Sequence, residues 1–426
     1  MKTLPLIVFS LSLTLRAADL DVRDFGAVAD GKTDCTAAIQ KALDACNGTG
    51  RTVDIPPGTY LSKPLKMRSE TTLRLEKNAT LLASPVQSDY LSEGGDWLQA
   101  TSSGEFTPFI GGRNLTNVTI TGDGVIDGNG AVWWPEAEKA RQRVSGYTLP
   151  RPNLIVIDHA KNLRLSGIKL VNSPKFHFVP ADCEDVTVEG ISIVSPEGAA
   201  NTDGIDPSNC RNVIITNCTI DTGDDDIAIK SGRKVKGREF GCENITVTDC
   251  TFLHGHGLSI GSETTGGVQG VTVKHCTFDG TENGLRIKSR RGKGGTVQNI
   301  SYVDITMKNV HPAISIACYY QDSSQLKFPT DEVAPPMTET TPIFRNIYIT
   351  NLTAYSSKDA GLVVGLPESS VANVVFKNVR IYAETGMSIA NARDVQFIDS
   401  TIAVQKGAPA IDYNAKVTGL STSPPP

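Results

Sequence analysis

Several features that would assign this chain to a common functional class are missing from its 426 residues. Its net charge is only −5, so the molecule as a whole has no surplus of positive charge with which to bind nucleic acid. No apolar run beyond the N-terminus is long enough to cross a bilayer. No G-X-Y period accompanies the 39 glycines and 23 prolines, which excludes collagen and favours a fold rich in turns. Since 39% of the residues are hydrophobic, the chain can form a large core and is not a disordered protein.

The nine cysteines include no closely spaced pairs of the kind that a Cys-ligated zinc site needs. Cys35 and Cys46 flank a short helix-like segment and could form a disulfide. Cys218, Cys250 and Cys276 share one position of a sequence repeat, which predicts a ladder of small buried thiols rather than disulfides or metal ligands.

The first 18 residues resemble an export signal. Lys2 provides a positive start, the uncharged stretch from Leu4 to Leu15 is apolar, and Ala17 and Ala18 offer small residues for cleavage. We therefore expect a signal peptide at 1–18, one mature domain at 19–426, and a secreted or periplasmic location. A buried N-terminal strand is the alternative.

A nine-residue phrase recurs ten times along the chain. Each copy has a turn residue, a pair of alternating β residues, a polar turn and a second short strand, as in NVIITNCTI at Asn212 and NITVTDCTF at Asn244. The copies start 21 to 47 residues apart. A period in the twenties with β-branched alternation predicts a single-domain, all-β parallel β-helix, whose longer intervals contain insertions.

A second family of strands follows these phrases and should align as well. Its members are GIDPSN, DIAIKSG, GLSIGSE, GLRIKSR, AISIACYY, GLVVGLP and GMSIANA. The segment from Asp24 to Cys46 predicts a strand, a turn and a short helix that caps the open N-terminal end of the stack.

Stacking the second strands in register brings chemical groups together. The position just ahead of the strand holds Asp203, Asp225, His256 and Asn283 in successive turns. Parallel strands lie about 4.8 Å apart, so the first three should project side by side, with Asp224 and Asp226 beside them. On the next turn Arg286 and Lys288 are two residues apart on one strand and share one face.

Each of these groups also has a simpler interpretation. The run of three aspartates could be a solvated turn or a calcium loop, although its spacing does not fit an EF-hand. His256 could be a hydrogen-bonded turn residue, and Arg286 and Lys288 could be exposed strand charges. Because all of them align on three consecutive turns, we favour a reaction site.

Two basic clusters add a clue to the ligand. Residues 228–240 and 286–293 together hold 10 of the 41 basic residues of an acidic chain. A local positive groove suits a polyanion. Nucleic acid is the less favoured polyanion, because export is expected and no aromatic residues alternate with the basic ones.

At these residues the sequence resembles the polygalacturonase family of glycoside hydrolases, family 28, whose members are right-handed parallel β-helices. The resemblance rests on four motifs in order: N-T-D-G at Asn201, G-D-D at Gly223, G-H-G at Gly255 and R-I-K at Arg286. It covers nearly the whole mature chain. The family usually has Cys in place of Asp226 and often Gln in place of Gly223.

The resemblance implies a mechanism. Asp224 would be the general acid, Asp203 and Asp225 would activate a water, and His256 would help to set the protonation of the acid. The N-T-D-G motif places Asn201 at the substrate, and Arg286 with Lys288 would hold a galacturonate carboxylate. Tyr319 or Tyr320 could stack on a sugar or serve only in packing. We expect inverting hydrolysis of α-1,4-galacturonosidic bonds in polygalacturonate by a monomer that needs no metal or organic cofactor.

Alternatives remain open at this point. The substrate could be rhamnogalacturonan or xylogalacturonan, or the protein could be a calcium-dependent pectate lyase or a non-catalytic polysaccharide-binding β-helix. The segments 94–109, 128–151 and 319–341 are expected to be long loops around the cleft. These loops slightly favour an exo mode of attack, with no nucleic acid or membrane as partner.

Overall fold

Short parallel strands, stacked turn upon turn, make up most of the computed structural model, which describes residues 19–91, 106–143, 149–320, 332–356 and 358–420. Most strands pair with the equivalent strands of the turns before and after them. The strands form three long faces, here called sheets 1, 2 and 3. The predicted parallel β-helix is thereby confirmed, with the right-handed winding that parallel crossovers take. The expected signal peptide at 1–18 lies outside the described residues and stays a prediction.

Sheet 1 contains the second family of strands from the sequence. Its pairing also passes through single bridges at Ile205 and Ser208. The first residues of the strand Thr385–Ile398 belong to sheet 1, where they pair with Asp359–Val364 and Ala410–Thr418, before this strand continues into sheet 2. The other strands of sheet 1 are Leu65–Lys66, Ile110–Arg113, Ile155–Asp158, Phe178–Ala181, Ile227–Ile229, Leu258–Gly261, Leu285–Lys288, Ile314–Ala317, Asp359–Val364 and Ala410–Thr418.

Sheet 2 contains the ten repeated phrases, and their register is as predicted. The second residues of all ten phrases pair in one continuous row from Val118 to Val395. The strands are Leu20–Asp21, Thr52–Ile55, Thr71–Leu75, Thr116–Gly122, Lys161–Ser166, Glu184–Glu189, Arg211–Thr216, Cys242–Thr248, Val268–Lys274, Thr296–Val310, Ile343–Ser356, Val371–Ala383 and Thr385–Ile398.

Sheet 3 closes each turn. The last residues of the three long strands that end at Val310, Ser356 and Ala383 also belong to it, because these strands bend from sheet 2 into sheet 3. Its own strands are Asp30–Asp34, Gly58–Ser62, Ala79–Ala83, Val125–Asp127, Lys169–Val171, Ser192–Val194, Thr219–Asp221, Thr251–Phe252, Thr277–Asp279 and Thr401–Val404.

A ladder of asparagines marks the first position of the repeated phrase. Every one of the ten residues there has a left-handed backbone, with φ between 52° and 68°, a conformation that Asn, Asp and Gly tolerate best. Asn212 donates to Asp185 at 2.9 Å, and Asn162 donates to Asn117 at 2.7 Å. The polar turn residues of the repeat therefore satisfy one another from turn to turn.

The interior of the coil is filled by aliphatic, aromatic and thiol side chains from all three sheets. Cys218, Cys250 and Cys276 are each 1% exposed and occupy one position of successive turns, which confirms the predicted ladder of buried thiols. Above and below them lie the aliphatic rows of the same core.

Helix α1 (Thr36–Cys46) covers the N-terminal end of the stack, as predicted. It buries Ala38, Ile39, Ala42, Leu43 and Cys46 and contacts the first strands of sheets 1 and 2. The disulfide that Cys35 and Cys46 could have formed is absent, because all nine cysteines are described and all are free thiols. The two residues lie at opposite ends of the helix, about 16 Å apart at 1.5 Å per residue, whereas disulfides need Cα atoms within about 7 Å.

Two other expectations from the sequence need correction. The segment 128–151 is not simply a loop, since it contains helix α2 (Trp134–Arg143) and the fully buried Trp133. The GLVVGLP strand is shifted by one residue, with Gly361 rather than Leu362 paired to Ile314, because Val363 supplies the inward side chain. None of the helices in the described parts of the chain is both long and apolar enough to span a membrane.

Candidate active site

The predicted row of site residues exists at one edge of sheet 1. Ile205, Ile227, Leu258 and Leu285 pair in successive turns, which places Asp203, Asp225, His256 and Asn283, two residues earlier, in one row. The turns that precede the strands carry these groups, and the strand after Asn283 carries Arg286 and Lys288. The register of the β-helix alone therefore assembles carboxylates and cations from four turns.

Asp225 is the most tightly held carboxylate of the row. Only 2% of its side chain is exposed, and Lys288 Nζ donates to its Oδ2 at 2.6 Å. Ser259 Oγ donates to Oδ1 at 2.8 Å, and Arg286 NH1 lies 3.6 Å from the same oxygen. Both cations of the R-I-K motif thus lie against the buried carboxyl group of Asp225, where Lys288 makes a charge-assisted hydrogen bond.

Asp224 belongs to a chain of charged groups that leads to the protein surface. Its Oδ1 lies 3.1 Å from Nδ1 of His256, and the Nε2 of this histidine lies 2.7 Å from Glu282. Asn201 donates to the other oxygen of Asp224 at 3.4 Å and accepts at its own Oδ1 from Arg151 at 3.1 Å. The predicted contact between His256 and Asp224 is present, and Asn201 lies beside it.

Asp203 lies on the opposite side of the row and has fewer partners. It is 3% exposed, and its Oδ2 lies 3.5 Å from Lys230 Nζ. Within the described residues its Oδ1 has no hydrogen-bond partner, and neither carboxyl oxygen of the nearby Asp206 has one. Lys230 is also 3.6 Å from Asp206 and is therefore shared between two buried carboxylates.

The environments of Asp203 and Asp224 move their pKa values in opposite directions. Burial, together with the like charges of Asp206 and Asp224, raises the pKa of Asp203 well above its usual value. Burial would also raise the pKa of Asp224, but the hydrogen bond and charge of His256 outweigh it and lower the pKa. Burial likewise opposes the charge on His256, yet its bonds to Asp224 and Glu282 raise its pKa to about 10. In the free protein the cluster therefore holds its protons on Asp203 and His256, while Asp224 is ionised.

Asp226 and Gly223, the two departures from the usual family sequence, flank Asp224 and Asp225. Packing explains both residues. Asp226 is fully buried, accepts from Gly257 N at 3.1 Å and from Thr222 Oγ1 at 3.0 Å, and burial raises its pKa well above the usual value. It is thus a hydrogen-bonded core residue whose burial favours the neutral carboxyl group. A Cβ at Gly223 would lie 2.4 Å from the carbonyl oxygen of Ala199, so only glycine fits between these turns.

A cleft of about 390 Å³ opens over this row. The candidate residues that line it are Asn201, Asp203, Asp224, Asp225, Lys288 and Tyr320. The ring of Tyr320 lies 5.1 Å from Lys288 Nζ and 5.5 Å from the Arg286 guanidinium. Tyr319 is instead 3% exposed and donates to Glu332, so packing is its observed role.

Known proteins share this architecture and sequence. The family model described as "Glycosyl hydrolases family 28" matches residues 46–402. The chain is 35% identical over 377 residues to an endo-polygalacturonase of Pectobacterium carotovorum subsp. carotovorum, covering 85% of this chain and 88% of that protein. These matches decide the family.

The chain belongs to glycosyl hydrolase family 28.

Two solved structures of family 28 enzymes resemble it in three dimensions. The polygalacturonase of Erwinia carotovora ssp. carotovora superposes with a TM-score of 0.71 at 29% identity, covering 94% of this chain and 97% of the other. The family 28 exopolygalacturonase of Yersinia enterocolitica superposes with a TM-score of 0.76 at 25% identity, covering 96% and 79%. The protein is thus a glycoside hydrolase, and its relatives include both endo- and exo-acting enzymes.

In this family 28 protein, only part of the two basic clusters faces the cleft. Lys230, Lys288 and Lys293 line it. Arg233 instead pairs with Asp182 at 2.7 Å, and Arg291 pairs with Glu368 at 2.6 Å. The predicted positive groove is therefore smaller than the sequence clusters indicate, because several of the cations are neutralised by partners from other turns.

Two groups of side chains in the described residues bring three possible metal donors together. Asp224, Asp225 and His256 place donor atoms within 4.8 Å of one another, but His256 is protonated and Lys288 occupies one oxygen of Asp225. This group is therefore better suited to proton transfer than to holding a cation. The second group, Asp158, His159 and Asp182, already has arginine partners on both carboxylates.

Sequence reasoning missed several residues of the site. Ser259 and Glu282 contact Asp225 and His256. Asp206 pairs with Lys230, Arg151 donates to Asn201, and Phe176 lines the cleft one position before Asp203 in the stacked row. Asp206 and Ser259 share the outward-facing row of Arg286 in sheet 1, so the register of the repeats could have indicated them. Arg151 lies outside the repeated phrases, and nothing in its local sequence indicates its position.

Proposed function

We propose that this family 28 glycoside hydrolase is a polygalacturonase that hydrolyses α-1,4 bonds between galacturonate units with inversion. The observation that carries the proposal is the placement of Asp203, Asp224 and Asp225 in one cleft with Lys288, beside which Arg286 lies. Three carboxylates supply acid and base, and the two cations suit the carboxylate of a uronic acid. The names of the relatives support the same substrate.

In the proposed mechanism, Asp224 protonates the glycosidic oxygen. It is ionised in the free protein, and protonated His256 lies 3.1 Å from it. His256 first passes its proton to Asp224, and Asp224 then donates this proton to the leaving oxygen, which leaves the imidazole neutral. Glu282 on the far side of the ring stabilises the charge that His256 carries before this step.

Asp203 and Asp225 act on the attacking water. Asp225 is kept ionised by Lys288 and Ser259 and orients the water. Asp203 accepts the proton of this water, for which it must first release to solvent the proton that it holds in the free protein. A water held between acid and base attacks the anomeric carbon from the side opposite the leaving oxygen, so the configuration inverts.

Arg286 and Lys288 bind a galacturonate carboxylate at the side of the cleft that Tyr320 flanks. Both cations also contact Asp225, at 3.6 and 2.6 Å, so substrate binding and the charge of the base are linked through them. This pairing demands a free carboxylate beside the scissile bond, which favours a galacturonan backbone over that of rhamnogalacturonan, in which neutral rhamnose alternates with galacturonate.

The mode of attack has two candidates. Exo attack is the prediction from the long loops, although residues 92–105, 144–148 and 321–331 lie outside the described residues. One observation favours endo attack: a second groove of about 430 Å³ lies over earlier strands of sheet 1, lined in part by Pro108, Gly111 and Val156. A groove there lengthens the surface available to a polymer.

Reducing-end release from polygalacturonate, with a chelator present, tests the function. We expect release that resists the chelator, products without double bonds, and a β-configured new reducing end in proton NMR of the first products. Unsaturated products that disappear with chelator would identify a lyase instead. Release of reducing ends only from rhamnogalacturonan or xylogalacturonan would make that polymer the substrate. If the folded protein released reducing ends from no pectin, a binding protein would be favoured.

Product lengths separate the two modes. Mono- or digalacturonate as the first products would support exo attack, and a ladder of longer oligomers would support endo attack. We also propose export by the N-terminal segment, which cleavage between residues 16 and 19 in a secreting host would verify by N-terminal sequencing of the mature protein.

A further inference from the structure

A buried ion pair in the floor of the cleft has no part in the mechanism described so far. Asp206 lies two residues after the glycine of the N-T-D-G motif and is 1% exposed, and Lys230 directly follows the strand Ile227–Ile229 of the next turn. Their charged groups are 3.6 Å apart, and the same Nζ lies 3.5 Å from Asp203. Neither Oδ1 nor Oδ2 of Asp206 has a hydrogen-bond partner in the described chain, which is costly for a buried carboxylate.

We infer that Lys230 and Asp206 are a pair of positioning residues that sets the charge of Asp203: Lys230 favours the ionised form of this base, and Asp206 opposes it. The inference rests on the proposed function, in which Asp203 takes a proton from water. It adds two residues that touch neither the water nor the scissile bond.

The geometry makes Lys230 well suited to this task. Its side chain is one-fifth exposed, and its ammonium group lies 5.4 Å from the centre of the Phe176 ring, which limits its access to water. A charge pair at 3.5 Å in such surroundings is screened much less than one on the surface. Because the same ammonium group faces both carboxylates, any change at Asp206 alters what Lys230 contributes to Asp203.

Other charges also act on Asp203 and have to be separated from this pair. His177 donates to its backbone carbonyl from Nδ1 at 3.0 Å, and burial lowers the pKa of this imidazole to about 4, so it is neutral. The remaining charged groups near Asp203, from its own and neighbouring turns, are Asp206, Asp224, Asp225, Lys230, Lys175 and Arg151. Lys230 and Asp206 differ from the rest in that each can be neutralised without removing a group that holds Asp224 or Asp225.

Four variants test the inference: Lys230→Met, Lys230→Arg, Asp206→Asn and the double variant Lys230→Met with Asp206→Asn. The first readout is the titration of the Asp203 carboxyl carbon by NMR in the unliganded protein, assigned by the signal lost in Asp203→Asn. We expect Lys230→Met to move this titration up by about 1–2 pH units and Asp206→Asn to move it down. Lys230→Arg and the double variant should titrate close to the wild type.

The second readout is the acid limb of kcat/KM on polygalacturonate. It should move in the same directions, because the free enzyme needs ionised Asp203. An unmoved Asp203 titration in Lys230→Met, or a double variant that keeps the shift of a single variant, would overturn the inference. So would a KM raised equally at all pH values with a fixed acid limb, which would mean that Lys230 binds the substrate.

The NMR readout keeps the inference separate from the proposed function. If the wild type fails to hydrolyse polygalacturonate, the proposed function fails, yet the titration of Asp203 still reports on Lys230. If Lys230→Met does not fold, the downward shift in Asp206→Asn still supports the inference, and an unmoved titration there overturns it.

Discussion

Two rows of polar side chains run along the same coil, and they differ in how the side chains of successive turns interact. The ladder of sheet 2 consists of asparagines that hydrogen-bond from turn to turn, as Asn212 does with Asp185 at 2.9 Å. The row at the edge of sheet 1 places Asp203, Asp225 and His256 on equally spaced turns, yet Asp203 has an unpartnered oxygen in the described structure. Equivalent positions of a repeat thus stabilise the fold where the side chain of one turn can donate a hydrogen bond to that of the next.

The candidate reaction site lies in the row where successive turns carry like charges instead of one repeated residue type. A buried carboxylate beside other carboxylates cannot be satisfied within its own row, so its proton and its partners must come from elsewhere. Lys288 and Lys230 provide such partners from outside the row. The comparison between the two rows can be tested by making the same chemical change in each.

The largest contrast should come from Asp→Asn substitutions. Asp224→Asn and Asp225→Asn should each lower kcat on polygalacturonate by about 10²–10⁴-fold, because the proton donor or the water-orienting charge is lost. Asp185→Asn is the matched control, since asparagine is the usual residue of the ladder. Reducing-end assays on proteins with equal circular dichroism spectra measure the difference. Full activity in the site variants, or equal loss in Asp185→Asn, would contradict the assignment.

The next effect concerns the substrate carboxylate. Arg286→Gln should raise KM about 10–100-fold, because one charge-assisted hydrogen bond to a uronate is worth about 1.5–3 kcal/mol. Arg345, which donates to Gln298 on sheet 2 at 2.8 Å, provides the control substitution Arg345→Gln with unchanged KM. Initial rates over a range of polygalacturonate concentrations give both constants. A fall in kcat alone would show that Arg286 acts only through Asp225.

A moderate effect on stability is expected in the ladder. Asn212→Ala should lower the free energy of unfolding by about 1–2 kcal/mol, because it places alanine at φ 54° and removes the bond to Asp185. Asn212→Gly should cost less, as Gly270 already occupies this row with φ 68°. Urea unfolding measures both, and activity per folded molecule should stay unchanged. If alanine and glycine lowered the free energy of unfolding equally, the left-handed backbone would play no part in the preference for asparagine.

The smallest effect should be a change in pH dependence. Glu282 helps to raise the pKa of His256 to about 10, so the protonated ring is lost only as the pH rises through that value. Glu282→Gln should lower this pKa, and the alkaline limb of kcat should move to lower pH by about one unit. NMR titration of the ring checks it, with His254, which contacts Asp221 at 2.7 Å, as the reference. An upward or absent shift would contradict the proposed relay.

Much of the fold followed from local patterns. The ten phrases predicted their own pairing because β-branched alternation, a polar turn and a left-handed Asn recur at each turn, and identical turns stack in only one register. The same register is sufficient to predict that Asp203, Asp225 and His256 lie in one row. The absent disulfide was possible from the sequence because spacing in sequence does not show that Cys35 and Cys46 lie at opposite ends of a helix.

Other parts of the site could not be predicted from local patterns. Arg151 reaches Asn201 from a segment outside the repeats, and Glu282 reaches His256 from the following turn. The raised pKa of Asp226 depends on its complete burial, which its neighbours in sequence do not show. Contacts of this kind depend on side-chain direction and on insertions, neither of which follows a period.

The sequence by itself determined the β-helix, the register of its turns and the row of candidate site residues, because each of these follows from a pattern repeated along the chain. Only the tertiary structure decided how those groups are charged. The protonation of Asp203, Asp224 and His256 depends on burial and on distances of about 3–4 Å between turns. Electrostatic energies change steeply over such distances in a buried site, whereas a repeat defines positions only to within a turn.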